Sequence, residues 1–345
     1  MNQEEVSPPL PSPTRLPQPL DSSYCSESFP LPTLAGSWAE NLLESWGDVS
    51  EEEAMKRAAA PGNKNVNETS LGNSGFSNQD TKLSPYLRWG VISPRQAYHA
   101  GVRKRDLLWR EWSHTCYRTV RNLRVGKPVL PFLDGCCTSI TPKLDNNEEA
   151  LFAAWCFGLT GAPVIDAGMR QLWHEGWMPR RLRLLAASCL VEGLGLDWRR
   201  GRDWFKYTLI DHDPAINELM WQNTGFCGID LFYRGLKWES SVSQGDQEYV
   251  NRWASQKLHL PSSALQKISS LSPYSYTDLV LVAETRREVL QRGGQYKAAA
   301  RVANSGVHVA WENLTQFDTK VAPGEVMGVG RVKLKDLVFE NHEES

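Results

Sequence analysis

Apolar residues in the middle of the chain recur every three or four positions and nowhere alternate, a spacing that predicts helices and no strands between residues 83 and 260. Leu151, Phe152 and Trp155 make one stripe. Val164, Ile165, Met169, Leu172 and Trp173, with Gly168 among them, make a second that Gly176 closes. Pro179 opens a third, in which Leu182, Leu185 and Cys189 face a core while Arg180 and Arg183 stand three apart. Trp204, Phe205, Thr208 and Leu209 form a fourth. Asp213 followed by Pro214 starts another: an Asp side chain accepts orphan first-turn N–H groups, and proline loses nothing at that position. On that helix Asn217 and Trp221 share a face, roughly 6 Å apart along the axis. Upstream, Ser84 before Pro85 and Ser93 before Pro94 predict two capped helix starts. Residues 106–124 predict a single helix, with Leu108, Trp112 and Thr115 on one face and basic residues on the other.

The expected fold class is therefore all-α, multi-helical rather than a simple bundle, and the pattern divides the chain into four stretches. Residues 1–36 hold eight prolines and many serines with almost no apolar periodicity, and are expected to be disordered. Residues 37–80 read as a helix ended by Pro61-Gly62, then a linker rich in Asn, Gly and Ser. Residues 81–260 form the helical body. Residues 261–345 are a partly ordered C-terminal extension, with a helix over 278–292 and a short strand over 331–339. No repeat at a solenoid period is present.

Charge changes this picture. The 345-residue chain has a formal net charge of -2, which excludes a uniformly basic binder of polyanions. Yet residues 1–80 carry 12 acidic and 4 basic side chains, whereas residues 88–127 carry 10 basic and 2 acidic ones, so the second segment can face an anion. Seven cysteines without a framework spacing fit reduced intracellular thiols. No metal site is expected, since Cys136-Cys137 has no His or Cys at ligand distance. No apolar run is long enough to span a membrane and no leader pattern is present, so a soluble intracellular protein is expected, with nucleus, cytoplasm and chloroplast all open. Fourteen tryptophans suit a large core, flat ligands and electron transfer alike.

Several motifs then fall in one order. They are Leu83-Ser-Pro-Tyr-Leu-Arg-Trp-Gly90 with Ile92-Ser-Pro-Arg95, Trp109-Arg-Glu-Trp112, and Thr160-Gly-Ala-Pro-Val-Ile-Asp-Ala-Gly-Met-Arg-Gln-Leu172. Gly176-Trp-Met178, Asp197-Trp198, and Asp211-His-Asp213 with Asn217 and Trp221 complete the set. From about residue 81 to 228 this set resembles the flavin-binding helical domain of the photolyase and cryptochrome family. The resemblance implies a non-covalent FAD in a helical pocket. Thr81, Lys82, Leu83 and Ser84 match the phosphate end, and Arg110 lies in the matching Trp109 motif. Arg183 and Asp211 match the pair flanking the ring, where a cation favours the reduced, anionic flavin and the carboxylate neutralises the guanidinium. Asp213 matches a carboxylate at the ring edge, and Asn217 the amide facing flavin N5, which can both donate and accept. Trp221 and Trp198 match the first two members of an electron-hopping chain.

The lesion-binding side departs from the family. Trp109 matches the indole on which a flipped pyrimidine dimer stacks, but Asp106 stands where repair enzymes carry a glutamate. Arg180 replaces an expected Asn, after Pro179 where His is usual. Counting back from Trp155, the third tryptophan of the chain falls near Asp145. The antenna-bearing α/β domain that precedes this one in the family has no match in residues 1–80.

Three functions follow as expectations. The first is blue-light-driven flavin electron transfer on UV-damaged DNA, a deoxyribodipyrimidine photolyase holding DNA through segment 88–127. The second is a cryptochrome-like photoreceptor that binds FAD without repair, with protein partners engaged through the N-terminal segment or the C-terminal extension. The third is a flavin-free helical remnant that binds DNA or protein. His212, between Asp211 and Asp213, is expected to be charged in a local ion pair.

Overall fold

Capping chemistry sets many of the helix boundaries in the computed structural model of the chain, which describes residues 42, 45–47, 49–60, 81–131, 134, 135, 138, 144–229, 244–256, 260–272 and 274–292. Helix α1 (Glu51–Ala59) starts where Ser50 Oγ accepts the Glu53 N–H. The short α2 (Ser84–Arg88) leads into α3 (Pro94–Ala100), which carries a full capping box between Ser93 and Gln96, a device worth about 1 kcal/mol. Helix α4 (Lys104–Thr119) breaks at Val120 and resumes as α5 (Arg121–Arg124). Then come α6 (Glu148–Cys156), α7 (Pro163–Glu175) and α8 (Arg180–Ser188), which runs into a π-turn at Cys189–Gly193. Asp197 caps α9 (Trp198–Thr208), and Asp213 caps α10 (Pro214–Thr224) by accepting the Ala215 and Ile216 N–H groups. Helices α11 (Gln244–Ala254), α12 (Ser262–Ile268) and α13 (Tyr276–Arg292) complete the set.

No strand occurs among the described residues, and the all-α expectation holds. Three local expectations do not. Ser84 is not a cap: α2 begins at Ser84 with Leu83 before it, and the serine hydroxyl instead accepts the Trp177 indole N–H. The helix expected over 106–124 is two helices, since Val120 takes extended backbone angles. Its core side is also rotated from the expected one. Leu107, Ser113 and Cys116 are buried, whereas Leu108 and Thr115 are exposed. Helix α9 starts at Trp198, earlier than its apolar stripe, because Asp197 supplies the cap. The expected strand at 331–339 and the segment 1–36 lie outside the described residues.

Two apolar clusters result. The larger centres on Trp155, Phe205 and Trp221 and takes in residues of α4 to α13. The smaller joins α1 to Tyr86, Ile92, Ala97 and Leu107. Helix α11 packs along α7, α12 on α6, α13 on the π-turn, and α9 on α10. Two glycines shape the turns around the helical core. Gly176, in the left-handed conformation at φ 64°, ends α7. A Cβ there would meet Ile210 Cγ2 at 2.6 Å, and its carbonyl accepts the Ile210 N–H at 2.9 Å, so the turn leading to Asp211 is seated on glycine backbone. At Gly158, φ 66°, a Cβ would stand 2.4 Å from the Asp166 carbonyl oxygen. Gly158→Ala therefore combines a left-handed alanine with a backbone clash, and is expected to cost at least about 2 kcal/mol in urea unfolding. A loss under a few tenths would show that the loop yields freely.

Candidate functional site

The segment 210–217 is gripped from both sides. Trp89 Nε1 donates to the Ile210 carbonyl at 2.8 Å, and Arg88 Nε to the His212 carbonyl. Below it, Arg183 forms a bidentate pair with Asp211 (3.1 and 2.8 Å), and its Nε donates to the Met178 carbonyl at 2.8 Å. The Asp211 side chain is 1% exposed and that of Arg183 24%. Arg183 also lies 5.9 Å from the Trp177 ring centroid, and Trp177 in turn bonds Ser84 at 3.0 Å. Ser84, Trp177, Arg183 and Asp211 thus form one connected wall, drawn from α2, the α7–α8 turn, α8 and the α9–α10 turn.

The other oxygen of the Asp213 cap faces α4. Arg110 Nη1 donates to Asp213 Oδ2 at 3.2 Å, and His114 Nε2 lies 3.0 Å from the same oxygen without hydrogen-bond alignment. Arg110 Nε is buried and has no hydrogen-bond partner among the described residues. Asn217 donates through Nδ2 to the Arg202 carbonyl at 3.1 Å, and its oxygen has no partner among the described residues. A buried donor without an acceptor is costly in a finished core, about 1–3 kcal/mol. Beside a paired buried charge it suits a ligand rich in acceptors. His114 is a residue that sequence reasoning missed. Its signal was present, because position 114 is one helical turn beyond Arg110 and so shares its face.

Lys82 stands in the left-handed region at φ 49°, where a lysine stores strain of order 1 kcal/mol. Its ammonium bonds Glu175 Oε2 at 2.7 Å and sits 5.5 Å from the ring centroids of both Trp46 and Trp177. Glu175 also accepts from Gln171 Nε2 at 2.8 Å, and Gln171 in turn accepts from the Tyr249 hydroxyl at 2.5 Å. Lys82 is thus tied inward. The Thr81 carbonyl accepts from Arg57 at 3.4 Å.

His212 corrects an expectation. Burial, then the nearby Arg88 and Lys206, hold its imidazole below the ordinary histidine value and outweigh Asp213 and Asp211, so at neutral pH it is uncharged. No ion pair with its neighbours forms.

Trp221 and Trp198 are both 3% exposed and stand on the paired helices α10 and α9. Trp221 meets Phe205 edge-on at 5.1 Å and Trp155 at 6.2 Å. A Cβ on Gly201 of α9 would lie 2.1 Å from the Trp221 ring, and one on Gly225 would lie 2.4 Å from that of Trp198. Each indole therefore occupies the space that a glycine of the opposite segment leaves. Asp145 caps a turn by accepting the Asn147 and Ser272 N–H groups, so no indole stands at that position.

Within α4, Trp109 meets Trp112 edge-on at 5.1 Å. Both oxygens of Asp106 are engaged, Oδ2 by Arg103 at 2.8 Å and Oδ1 by Arg180 at 3.4 Å. Arg103, Lys104, Arg105, Arg118, Arg121, Arg124 and Lys127 are exposed, giving α4 and α5 a cationic outer side.

The family model described as the FAD binding domain of DNA photolyase matches residues 103–296. A deoxyribodipyrimidine photo-lyase of Agrobacterium fabrum is 35% identical over 189 residues, which is 50% of this chain and 38% of that protein. One of Streptomyces griseus is 31% identical over 245 residues, 66% of this chain and 51% of that protein. A cryptochrome DASH of Vibrio parahaemolyticus is 32% identical over 274 residues, 72% and 57% respectively. The crystal structure of a bacterial class III photolyase from Agrobacterium tumefaciens superposes with a TM-score of 0.52 at 25% identity, covering 81% of this chain and 63% of that one. The chain spans about half the length of the curated relatives it matches, and over that span it belongs to the family of the FAD-binding domain of DNA photolyase.

Proposed function

We propose that the chain binds FAD against the wall formed by Arg183, Asp211, Asp213, Arg110 and Asn217, and uses blue light to move electrons through it, acting on pyrimidine dimers in UV-damaged DNA. The observation that carries this reading is the buried Arg183–Asp211 pair beside the unpartnered Arg110 Nε, in a chain of this family. FAD, when bound, supplies light-driven one-electron chemistry. Everything else is the protein's work. Arg183 offers a positive charge that Asp211 stabilises in a buried place. Asn217 keeps a free carbonyl oxygen for an N–H donor. Thr81 and the backbone of Leu83 and Ser84 offer donors to phosphate, with Lys82 bracing the segment from behind. Trp221 and Trp198 serve as successive electron donors. Damaged DNA is held by the cationic side of α4 and α5, with Trp109 as the stacking platform. Four of the cysteines, Cys116, Cys156, Cys189 and Cys227, are free and buried, in keeping with a reducing intracellular compartment. Among the described residues no helix is long and apolar enough to cross a membrane.

One observation favours a second reading, a cryptochrome-like flavoprotein without repair, in which the N-terminal segment or the C-terminal extension meets a protein partner. Asp106 is closed off by Arg103 and Arg180 at the place where a lesion would enter. The absorption spectrum of the purified chain, with FAD added if needed, is the first test. Flavin bands near one per chain support both readings; their absence leaves a flavin-free binding module. Blue-light loss of dimers from irradiated oligonucleotide, by the protein with reduced flavin, then separates repair from its absence. Trp221→Phe is expected to keep FAD bound and to slow flavin photoreduction by about tenfold or more, equivalent to at least about 1.4 kcal/mol on the barrier. An unchanged rate would remove Trp221 from the path.

A further inference from the structure

Trp198 has surroundings unlike those of any other described tryptophan. Its indole N–H donates to Asp134 Oδ1 at 3.1 Å. Two guanidinium groups lie over its ring, Arg199 at 4.5 Å and Arg202 at 5.3 Å from the centroid. Each is held in place by carboxylates: Arg199 by Asp134 and Asp197, Arg202 by Asp203 and Glu218. The indole is 3% exposed, whereas the Asp134 side chain is 25% exposed; its Oδ1 accepts from the indole nitrogen and from Arg199 Nη1, and its Oδ2 from Arg199 Nη2.

This arrangement bears on what happens when the ring loses an electron. The new positive charge is confined to a buried indole whose two facing guanidinium groups are each already paired with carboxylates, and the negative group in direct contact with the ring nitrogen is Asp134. With no indole at position 145 to pass the charge onward, the hydrogen-bonded carboxylate is the nearest relief. Burial alone would raise the Asp134 carboxyl, but hydrogen bonds from Arg199 and Trp198 outweigh it and hold the group below the ordinary carboxylate value, so it is ionised and a weak base, able to take a proton only from a strong acid such as an indole radical cation.

We propose that Asp134 is the proton acceptor for oxidised Trp198. The inference rests on the proposed role of Trp221 and Trp198 as electron donors to flavin. With FAD bound, Trp221 would give one electron to the light-excited oxidised flavin, and Trp198 would refill Trp221. The Trp198 N–H bond then breaks, its proton forms an O–H bond on Asp134, and Trp198 remains as a neutral radical. The positive charge has thereby left the buried ring for a carboxyl that reaches solvent, from which the proton departs to water. A neutral radical no longer draws its electron back as a cation would, so the separated state lives longer.

Transient absorption of the flavin-loaded protein after a blue flash tests this, because cationic and neutral tryptophan radicals have different visible bands. In the native protein the cation band is expected to give way to the neutral one, more slowly in deuterium oxide and at a rate independent of buffer concentration. Asp134→Asn keeps an oxygen that can accept the hydrogen bond but is too weak a base to take the proton. It is expected to lose the neutral-radical band and to shorten the charge-separated lifetime several-fold. In the flavin-free protein, the Trp198 indole N–H is expected to exchange with solvent faster in Asp134→Asn, a reading independent of light chemistry. Neutral radical formed equally in Asp134→Asn, or a native conversion rate that scales with buffer base, overturns the proposal and leaves the electron path intact. A native protein that binds flavin yet forms no tryptophan radical overturns the electron path, and this proposal with it.

Discussion

Arg183→Ala is expected to destabilise the folded chain by about 3 kcal/mol, and to abolish tight retention of FAD with it. Removing one partner of a buried pair leaves the other as an uncompensated charge, a loss of about 3–5 kcal/mol in general. The lower end applies here, because the Arg183 side chain is 24% exposed and water already screens part of the interaction. Asp211 is the partner that suffers, since at 1% exposure it has no solvent to turn to once the two guanidinium bonds are gone. The check is a urea unfolding curve of the flavin-free protein, paired with flavin content after gel filtration. The double variant Arg183→Met with Asp211→Leu decides the interpretation. If the stranded charge is the cause, the double variant recovers much of the stability while FAD stays lost. If Arg183→Ala alone unfolds within about 1 kcal/mol of the native protein, the pair is not a strut of this fold.

The second large effect belongs to Trp155, whose indole is fully buried at the centre of the larger core. It stacks between Phe152 (5.9 Å, 19°) and Phe205 (6.0 Å, 15°), stands edge-on to Trp221, and donates Nε1–H to the Ala186 carbonyl at 2.9 Å. Truncation to alanine removes the aromatic surface, leaves a cavity and strips a partner from a buried carbonyl. A loss of about 3–5 kcal/mol is expected. Trp155→Phe keeps the stack and loses the hydrogen bond, so it is expected to cost about 1–2 kcal/mol. Thermal or urea unfolding of both variants separates the two contributions. Equal losses would mean that the hydrogen bond, not the ring, carries the effect.

What was legible in the sequence depended on the range of the physics. Asp213 with Pro214, Ser93 with Gln96, and Gly176 are rules that act within four residues, and each terminus falls where its chemistry puts it. The order of motifs carried the family, and the all-α reading followed from periodicity alone. The misses need longer range. Ser84 meets Trp177 across 93 residues, and Lys82 meets Glu175 across the same separation, so neither role could be read locally. Arg110 of α4 meets Asp213 across 103 residues, a contact that no local rule gives. The π-turn at Cys189–Gly193 has no compositional mark, because one added residue per turn changes backbone register without changing residue preference. Asp134, 64 residues from Trp198, belongs to the same class.

The exchange of indole for glycine between α9 and α10 has a consequence for motion. Trp221 fills the hollow at Gly201 and Trp198 the hollow at Gly225, so neither ring can swing to another rotamer unless the two helices separate. The mutual distance and tilt of the two indoles are thereby handed from side-chain torsions, which fluctuate, to a backbone spacing, which does not. Tunnelling between aromatic groups falls off steeply with separation, and a pair clamped in this way samples a narrow band of separations. For electron hopping along this route, the glycines are as much a part of the wire as the tryptophans.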